Sequence, residues 1–173
     1  MMPHICAIAA TSIDGRIGRD SAHVTDWTSP EDKASLYSHL AACYAVVVGN
    51  NTYKITPTLF AQRTSIVFTK SVQYAEAGPE NTIFFNPANG SLETLLGTHR
   101  KVAVLGGSQT YSYFFQLGLI DELYLTIEPI LFGKGLPLVE YNGVLARFAF
   151  QSVTPLNKTG TLLIHYKKAG TTL

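Results

Sequence analysis

Val102-Ala103-Val104-Leu105-Gly106-Gly107-Ser108-Gln109-Thr110-Tyr111 is the segment whose reading decides the fold. Its unbroken apolar run fits a strand buried on both faces, as at the centre of a parallel sheet. The glycine pair ends the run, and a helix begins at Ser108. Glycines let a backbone approach a ligand closely. A helix N-terminus turns free N–H groups and the positive end of its dipole toward a phosphate. Ser108 and Thr110 add hydroxyl donors. The same glycines also serve a plain strand-to-helix turn that needs unusual dihedrals, and the segment alone leaves both readings open. It lacks the G-x-G-x-x-G spacing of a Rossmann fingerprint.

Val46-Val47-Val48-Gly49-Asn50-Asn51-Thr52 repeats this grammar: a buried strand, a glycine, then polar donors opening a helical turn. In a parallel sheet both breaks fall at the carboxyl edge, where ligands bind at a topological switch. Two breaks on one edge favour a dinucleotide more than either does alone. Thr69-Lys70-Ser71, after a third strand, would add a cation there, although a solvated lysine explains Lys70 equally.

Working outward, His4–Ala10 reads as a short strand and Thr11–Trp27 as a long loop of the kind that is often functional. A helix follows to about Ala42, then a strand at Tyr44–Gly49 and a short helix or turn at Asn51–Thr58. Ser65–Thr69, Thr82–Phe85 and Lys101–Leu105 read as strands, with a weak helix at Ser91–Leu96. Ser108–Leu117 is helical and closed by Gly118, and Glu122–Glu128 is another strand. Residues 146–155 and 161–168 alternate like an antiparallel pair around Asn157-Lys158-Thr159-Gly160. The sum is about eight strands and four helices in one domain spanning residues 1–173. The expected architecture is a three-layer α/β/α sheet, mostly parallel, with an antiparallel C-terminal edge.

Composition excludes several classes. The chain has 173 residues, 46% hydrophobic and 14% charged, with nine Phe and nine Tyr, so it is long and apolar enough for a real core. No apolar run approaches the ~18 residues of a membrane span, and Met1-Met2-Pro3-His4 carries no signal-peptide features. A net charge of +1 without a basic block argues against a nucleic-acid face. Cys6 and Cys43 sit in apolar runs without a C-x-x-C partner, as core thiols of a reducing cytoplasm would. The five histidines (4, 23, 39, 99 and 165) show no ligand spacing, so no metal is expected.

Ser29-Pro30-Glu31-Asp32 opens its helix with Ser as N-cap, Pro at the first position and acids in the first turn. Asp32 is the fourth member of a capping-box pattern. It also shares a helical stripe with Leu36, Leu40 and Cys43, which turns its carboxyl toward the core side, where desolvation raises its pKa. Such an acid suits hydrogen bonding or proton supply to a heterocycle. The two roles are compatible. Ser12-Ile13-Asp14-Gly15-Arg16-Ile17-Gly18 reads by itself only as a turn.

Taken in order, Ser12-Ile13-Asp14-Gly15-x-Ile17, Trp27, Val48-Gly49-x-Asn51-Thr52, Leu105-Gly106-Gly107, and Gly118-Leu119-Ile120-Asp121-Glu122-Leu123 through Pro129-Ile130-Leu131-Phe132-Gly133-x-Gly135-x-Pro137-Leu138 resemble the RibD C-terminal family. That family is the riboflavin-biosynthesis reductase domain, of dihydrofolate-reductase-like fold. Trp27-Thr28-Ser29-Pro30-Glu31-Asp32 and Leu123-Tyr124-Leu125-Thr126 are also similar to dihydrofolate reductase itself, where the acid contacts the pterin and the Thr supports it.

The resemblance implies NADPH as cofactor. Gly49, Asn51, Thr52, Gly106, Gly107, Ser108, Gln109, Thr110 and Tyr111 would hold it around the phosphates, Thr69, Lys70 and Ser71 near the adenosine ribose, and Ala10, Gly15 and Ile17 along the nicotinamide. Asp32 and Thr126 would be catalytic. Trp27, Lys54, Arg63 and Glu128 would bind substrate, Lys54 and Arg63 through a phosphate. Three features depart from these families. Asn50 stands where dihydrofolate reductases usually carry an Arg; Lys54-Ile55-Thr56-Pro57 lacks the acid that riboflavin reductases place before the proline and is a residue short; and Arg63 follows Leu59 at slightly longer spacing than the family's Leu-x-x-Arg.

The expected function is an NADPH-dependent reductase of a pyrimidine or pteridine-type substrate, closest to 5-amino-6-(5-phosphoribosylamino)uracil reductase. Dihydrofolate reductase and a non-catalytic NADP-binding module are the alternatives. The resemblance also implies a homodimer, and no deaminase domain upstream.

Overall fold

The computed structural model describes residues 3–60, 62–97, 101–140, 143 and 145–170. His99, one of the histidines weighed above, lies outside them. The elements run β1 (His4–Thr11), β2 (Arg16–Gly18), α1 (Pro30–Ala41), β3 (Ala45–Gly49), α2 (Asn50–Ile55), β4 (Thr64–Phe68), β5 (Ala75–Ala77), β6 (Thr82–Phe85), α3 (Leu92–Leu96), β7 (Lys101–Val104), α4 (Ser108–Gln116), β8 (Glu122–Ile127), β9 (Leu136–Pro137), β10 (Phe148–Pro155) and β11 (Leu162–Lys168).

Among the described residues, nine strands form one sheet in the order β10-β11-β8-β1-β7-β3-β4-β6-β5. The six from β8 to β6 are parallel. β11 pairs antiparallel with β8 and with β10, as expected for the C-terminal edge. The opposite edge is antiparallel too, because Ala75–Ala77 folds back onto β6; three residues with no alternation gave no strand signal. The segment read as a long loop contains β2, which pairs with β9 in a two-stranded sheet, and a single turn of 3-10 helix at Thr25–Trp27.

The strand sequences split the core into two layers. Ile5, Ala7, Ala45, Val47, Val102 and Val104 point to one face, against Leu92 and Leu96 of α3 and Tyr111 and Phe114 of α4. Ile8, Val46, Val48 and Ala103 point to the other, against Leu40 of α1, Tyr53 of α2 and Phe60. Val46, Val47 and Val48 are wholly buried, as a strand covered on both faces requires. The architecture is therefore the three-layer α/β/α one. No helix among the described residues is long and apolar enough to cross a membrane.

At the amino end of β8 the Glu122 carboxylate gathers two lysines and two imidazoles. Lys101 Nζ lies 3.5 Å away and Lys167 Nζ 3.6 Å, with His4 Nε2 at 3.3 Å and His165 Nε2 at 3.5 Å. Donor atoms of His4, Cys6 and Glu122 also lie within 4.8 Å of one another, which sequence spacing did not show. The two ammonium groups already engage this carboxylate and would repel a metal cation.

Candidate active site

The two glycine breaks meet. β3 and β7 are parallel neighbours, with Ala45 opposite Val102 and Val47 opposite Val104, so their carboxyl ends are level. Gly49 N–H donates to the Gly106 carbonyl at 2.6 Å, and Leu105 N–H to that of Val47 at 3.0 Å. A Cβ on Gly49 would stand 2.9 Å from Thr110 Oγ1 and 3.2 Å from Gly107 N. One on Gly106, whose φ is +95°, would stand 2.8 Å from a ring carbon of Tyr111. The Gly106–Gly107 peptide is cis.

Gly107 differs from both. A Cβ there would have only Thr52 Oγ1 near it, at 3.9 Å, so this glycine borders open space. Gly107 is the N-cap of α4, and Gly49 that of α2; neither helix start is capped by a side chain. Backbone donors are thus left for an anion at one place. Tyr111 braces the turn, donating its hydroxyl to the Ile8 carbonyl at 2.5 Å.

A cleft of about 820 Å³ opens from this edge, within the usual range for a small-molecule site. Its lining includes the expected Ala10, Ile17, Trp27, Asp32, Gly49, Asn51, Thr52, Thr69, Lys70, Gly106, Gly107, Ser108, Gln109, Thr110 and Tyr111. Sequence reasoning did not single out His23, Pro87, Leu105 or Glu140, which line it as well. His23 stacks on Trp27 at 6.5 Å between centroids, and Trp27 meets Phe132 edge-on at 5.0 Å. Nothing in their spacing signals these contacts.

Asp32 faces this cleft and is only 8% exposed. The helical stripe explains its direction: Leu36 and Cys43 pack against the core layer that contains Leu40. Burial pushes the Asp32 carboxyl pKa up. Hydrogen bonds from the Thr126 and Thr28 hydroxyls oppose this, the negative charge of Glu128 adds to it, and Lys33 opposes it. Ser29 Oγ accepts from Asp32 N–H at 3.2 Å, so the N-cap forms as read. The reciprocal half of the capping box does not come from Asp32, because Ser29 N–H donates instead to Glu128 Oε1 at 2.7 Å.

Six expected residues do not line the cleft. Thr126 is buried behind Asp32 and reaches the site through it. Glu128 is buried, its second oxygen accepting from Thr161 Oγ1 at 2.7 Å. Ser71 bonds the Thr69 hydroxyl at 2.8 Å. Gly15 sits in the turn before β2 with φ +74°. Lys54 is exposed on α2, and Arg63 donates to the Leu59 carbonyl at 3.2 Å. The turn of Gly15 is latched: Asp14 accepts from Ser12 Oγ at 2.6 Å and from the amides of Phe132 and Gly133 at 3.1 and 2.8 Å.

A buried acid and a glycine-built anion cradle thus line one cleft at the carboxyl edge of a mostly parallel sheet. The description "Dihydrofolate reductase" belongs to the family model that matches residues 4–129, and the chain belongs to that family. It is 25% identical over 139 residues to the uncharacterized protein YwjB of Bacillus subtilis, covering 75% of this chain and 78% of that one.

Among solved structures, it is similar to a putative riboflavin biosynthesis protein from Shewanella sp. PV-4, with a TM-score of 0.77, 20% identity, and coverage of 98% of this chain and 100% of that one. A pyrimidine reductase-like protein from Corynebacterium diphtheriae superposes with a TM-score of 0.77 at 18% identity, over 97% and 92%. The deaminase/5-amino-6-(5-phosphoribosylamino)uracil reductase of Thermotoga maritima gives 0.73 at 19% identity, over 97% of this chain and 57% of that longer one.

Proposed function

We propose that the protein is an NADPH-dependent reductase of a pyrimidine- or pteridine-type heterocycle, closest to the ribosylaminopyrimidine reductases of riboflavin biosynthesis. The observation that carries this is the contact between the two strand-end breaks beside a buried Asp32. The residues present fit the cofactor. Gly107 leaves space where a side chain would intrude, and the uncapped start of α4 offers N–H groups to a pyrophosphate. Ser108, Gln109 and Thr110 would bind its phosphates with Asn51 and Thr52, and Ala10 and Ile17 would lie along the nicotinamide. When bound, the cofactor supplies a hydride to carbon.

The chain's own groups do the rest. Trp27 and Leu36 wall the heterocycle away from water. Asp32, whose pKa burial pushes up, would offer a proton to a ring nitrogen. Reduction of a C=N bond would need one proton at nitrogen besides the hydride that a bound NADPH would supply, and Asp32 would be the group that gives it. Thr126 and Thr28 fix the carboxyl's direction.

Lys54 and Arg63, the phosphate candidates, lie outside the cleft lining, which favours dihydrofolate, a substrate without a phosphate, as the second reading. NADPH absorbance followed with each substrate in turn separates the two. Turnover of the ribosylaminopyrimidine alone is expected; turnover of dihydrofolate alone overturns the first reading. Tight NADPH binding without transfer to either heterocycle would leave a binding module. The two free cysteines suit a reducing cytoplasm. Exposed Phe150 and Val153 on the edge strand β10 support a homodimer, which solution scattering checks.

A further inference from the structure

Glu128 lies behind the cleft. It is 3% exposed, and both its oxygens accept: Oε1 from Ser29 N–H at 2.7 Å, Oε2 from Thr161 Oγ1 at 2.7 Å. Both oxygens of the buried group are thus engaged as acceptors. Thr161 is fully buried at the start of the final hairpin strand and is held in turn by Asn157, whose Nδ2 donates to Thr161 Oγ1 at 2.9 Å. Asn157 Oδ1 accepts the amides of Thr159, Gly160 and Thr161, each at 3.1 Å. At the other end, Ser29 caps α1 by accepting from Asp32 N–H. A continuous path of hydrogen bonds therefore runs from the C-terminal hairpin turn through Glu128 to the helix position that carries Asp32.

We propose that Glu128 is a positioning residue for Asp32: it ties the N-cap of α1 to Thr161, just ahead of β11, and sets a second buried carboxyl group behind the helix turn that presents Asp32 to the cleft. The inference rests on the reading of Asp32 as the proton-holding group. The charges and titratable groups that act on Asp32 are Glu128 beyond the end of β8, Lys33 on α1 and Tyr111 on α4. Of these only Glu128 is a second carboxylate, and electrostatic influence of this kind is strong where water is excluded.

The test uses the full chain carrying Glu128→Gln. This change leaves an oxygen to accept from Ser29 and removes the charge. With aspartate carboxyl carbons labelled, the Asp32 resonance, assigned by Asp32→Asn, is titrated by NMR without cofactor or substrate. Asp32 is expected to lose its proton at lower pH in the variant. In turnover, the alkaline limb of kcat moves the same way, so that kcat on that limb falls about twofold to threefold while KM for NADPH stays within about twofold. An unmoved Asp32 titration overturns the proposal. If no heterocycle is reduced at all, the functional reading fails while the titration still decides this one. Thr161→Val covers the case in which Glu128→Gln does not fold: it keeps the charge and removes one tether. KM for the heterocycle should then rise about threefold with the alkaline limb in place, and an unchanged KM overturns the positioning role.

Discussion

Glu122 opens β8, Asp32 on α1 meets Thr126 near the other end of that strand, and each is 8% exposed. Their protons behave oppositely. Burial raises the pKa of both. At Asp32 that effect prevails although two threonine hydroxyls and Lys33 oppose it, with Glu128 adding to it. At Glu122 it is overcome: hydrogen bonds from His4, Tyr124 and Cys6 and the charge of Lys101 bring the pKa from 4.5 down to about 2. Burial alone therefore does not decide protonation; the partners do. The amino edge of the sheet is charge-compensated. The carboxyl edge holds an under-compensated acid and uncapped amides, which is where function is expected.

The sharpest way to break this contrast is Asp32→Asn. If the carboxyl carries the reacting proton, kcat should fall at least about a hundredfold. The urea midpoint should hold or rise, since a buried acid is removed and Ser29 still caps the helix. A rate within a few-fold of the parent would remove the Asp32 carboxyl from the chemistry.

Gly49→Ala attacks the cradle instead. Its new Cβ would press on Thr110 and Gly107, so calorimetry should show NADPH affinity down roughly thirtyfold, with ~1–3 kcal/mol of stability lost to overpacking. Affinity at the parent level would mean that the meeting of the two breaks is only a fold device.

Glu122→Gln probes the other end. A depressed folded pKa gives stability that is present above the unfolded value of 4.5 and lost as pH falls toward about 2. The variant should lack this acid-side loss and be about 2 kcal/mol less stable at pH 7, with turnover unchanged. Denaturant melts at pH 7, 4 and 3 read this directly; a parallel loss of NADPH oxidation would show that the two ends are not independent. Ser29→Ala should have the smallest effect, about 1 kcal/mol on stability, with kcat shifted modestly through Asp32.

Much of the parallel core was legible because its residues obey simple rules. Val46-Val47-Val48 has one reading, and the Ser29-Pro30 start fixes α1 to within a residue. Asp32 was legible as a cleft acid through its stripe with Leu36 and Leu40. β2, β5 and β9 were not, because strands of two or three residues carry no periodicity and exist only through their partners. Glu128 shows another limit. Its carboxylate takes the place of the fourth residue of a capping box, but the partners that define it, Ser29 and Thr161, are distant in sequence. Lys54 and Arg63 came from the family resemblance, and a motif match does not decide which way a side chain faces.

The bond between Gly49 and Gly106 joins strands whose sequences lie far apart, with β4, β5, β6 and α3 between them. No fragment ending before β7 can possess the anion cradle, however well β1 to β6 assemble. Cofactor affinity therefore serves as a late reporter of folding: during refolding it should emerge only when the sheet's centre has zipped shut.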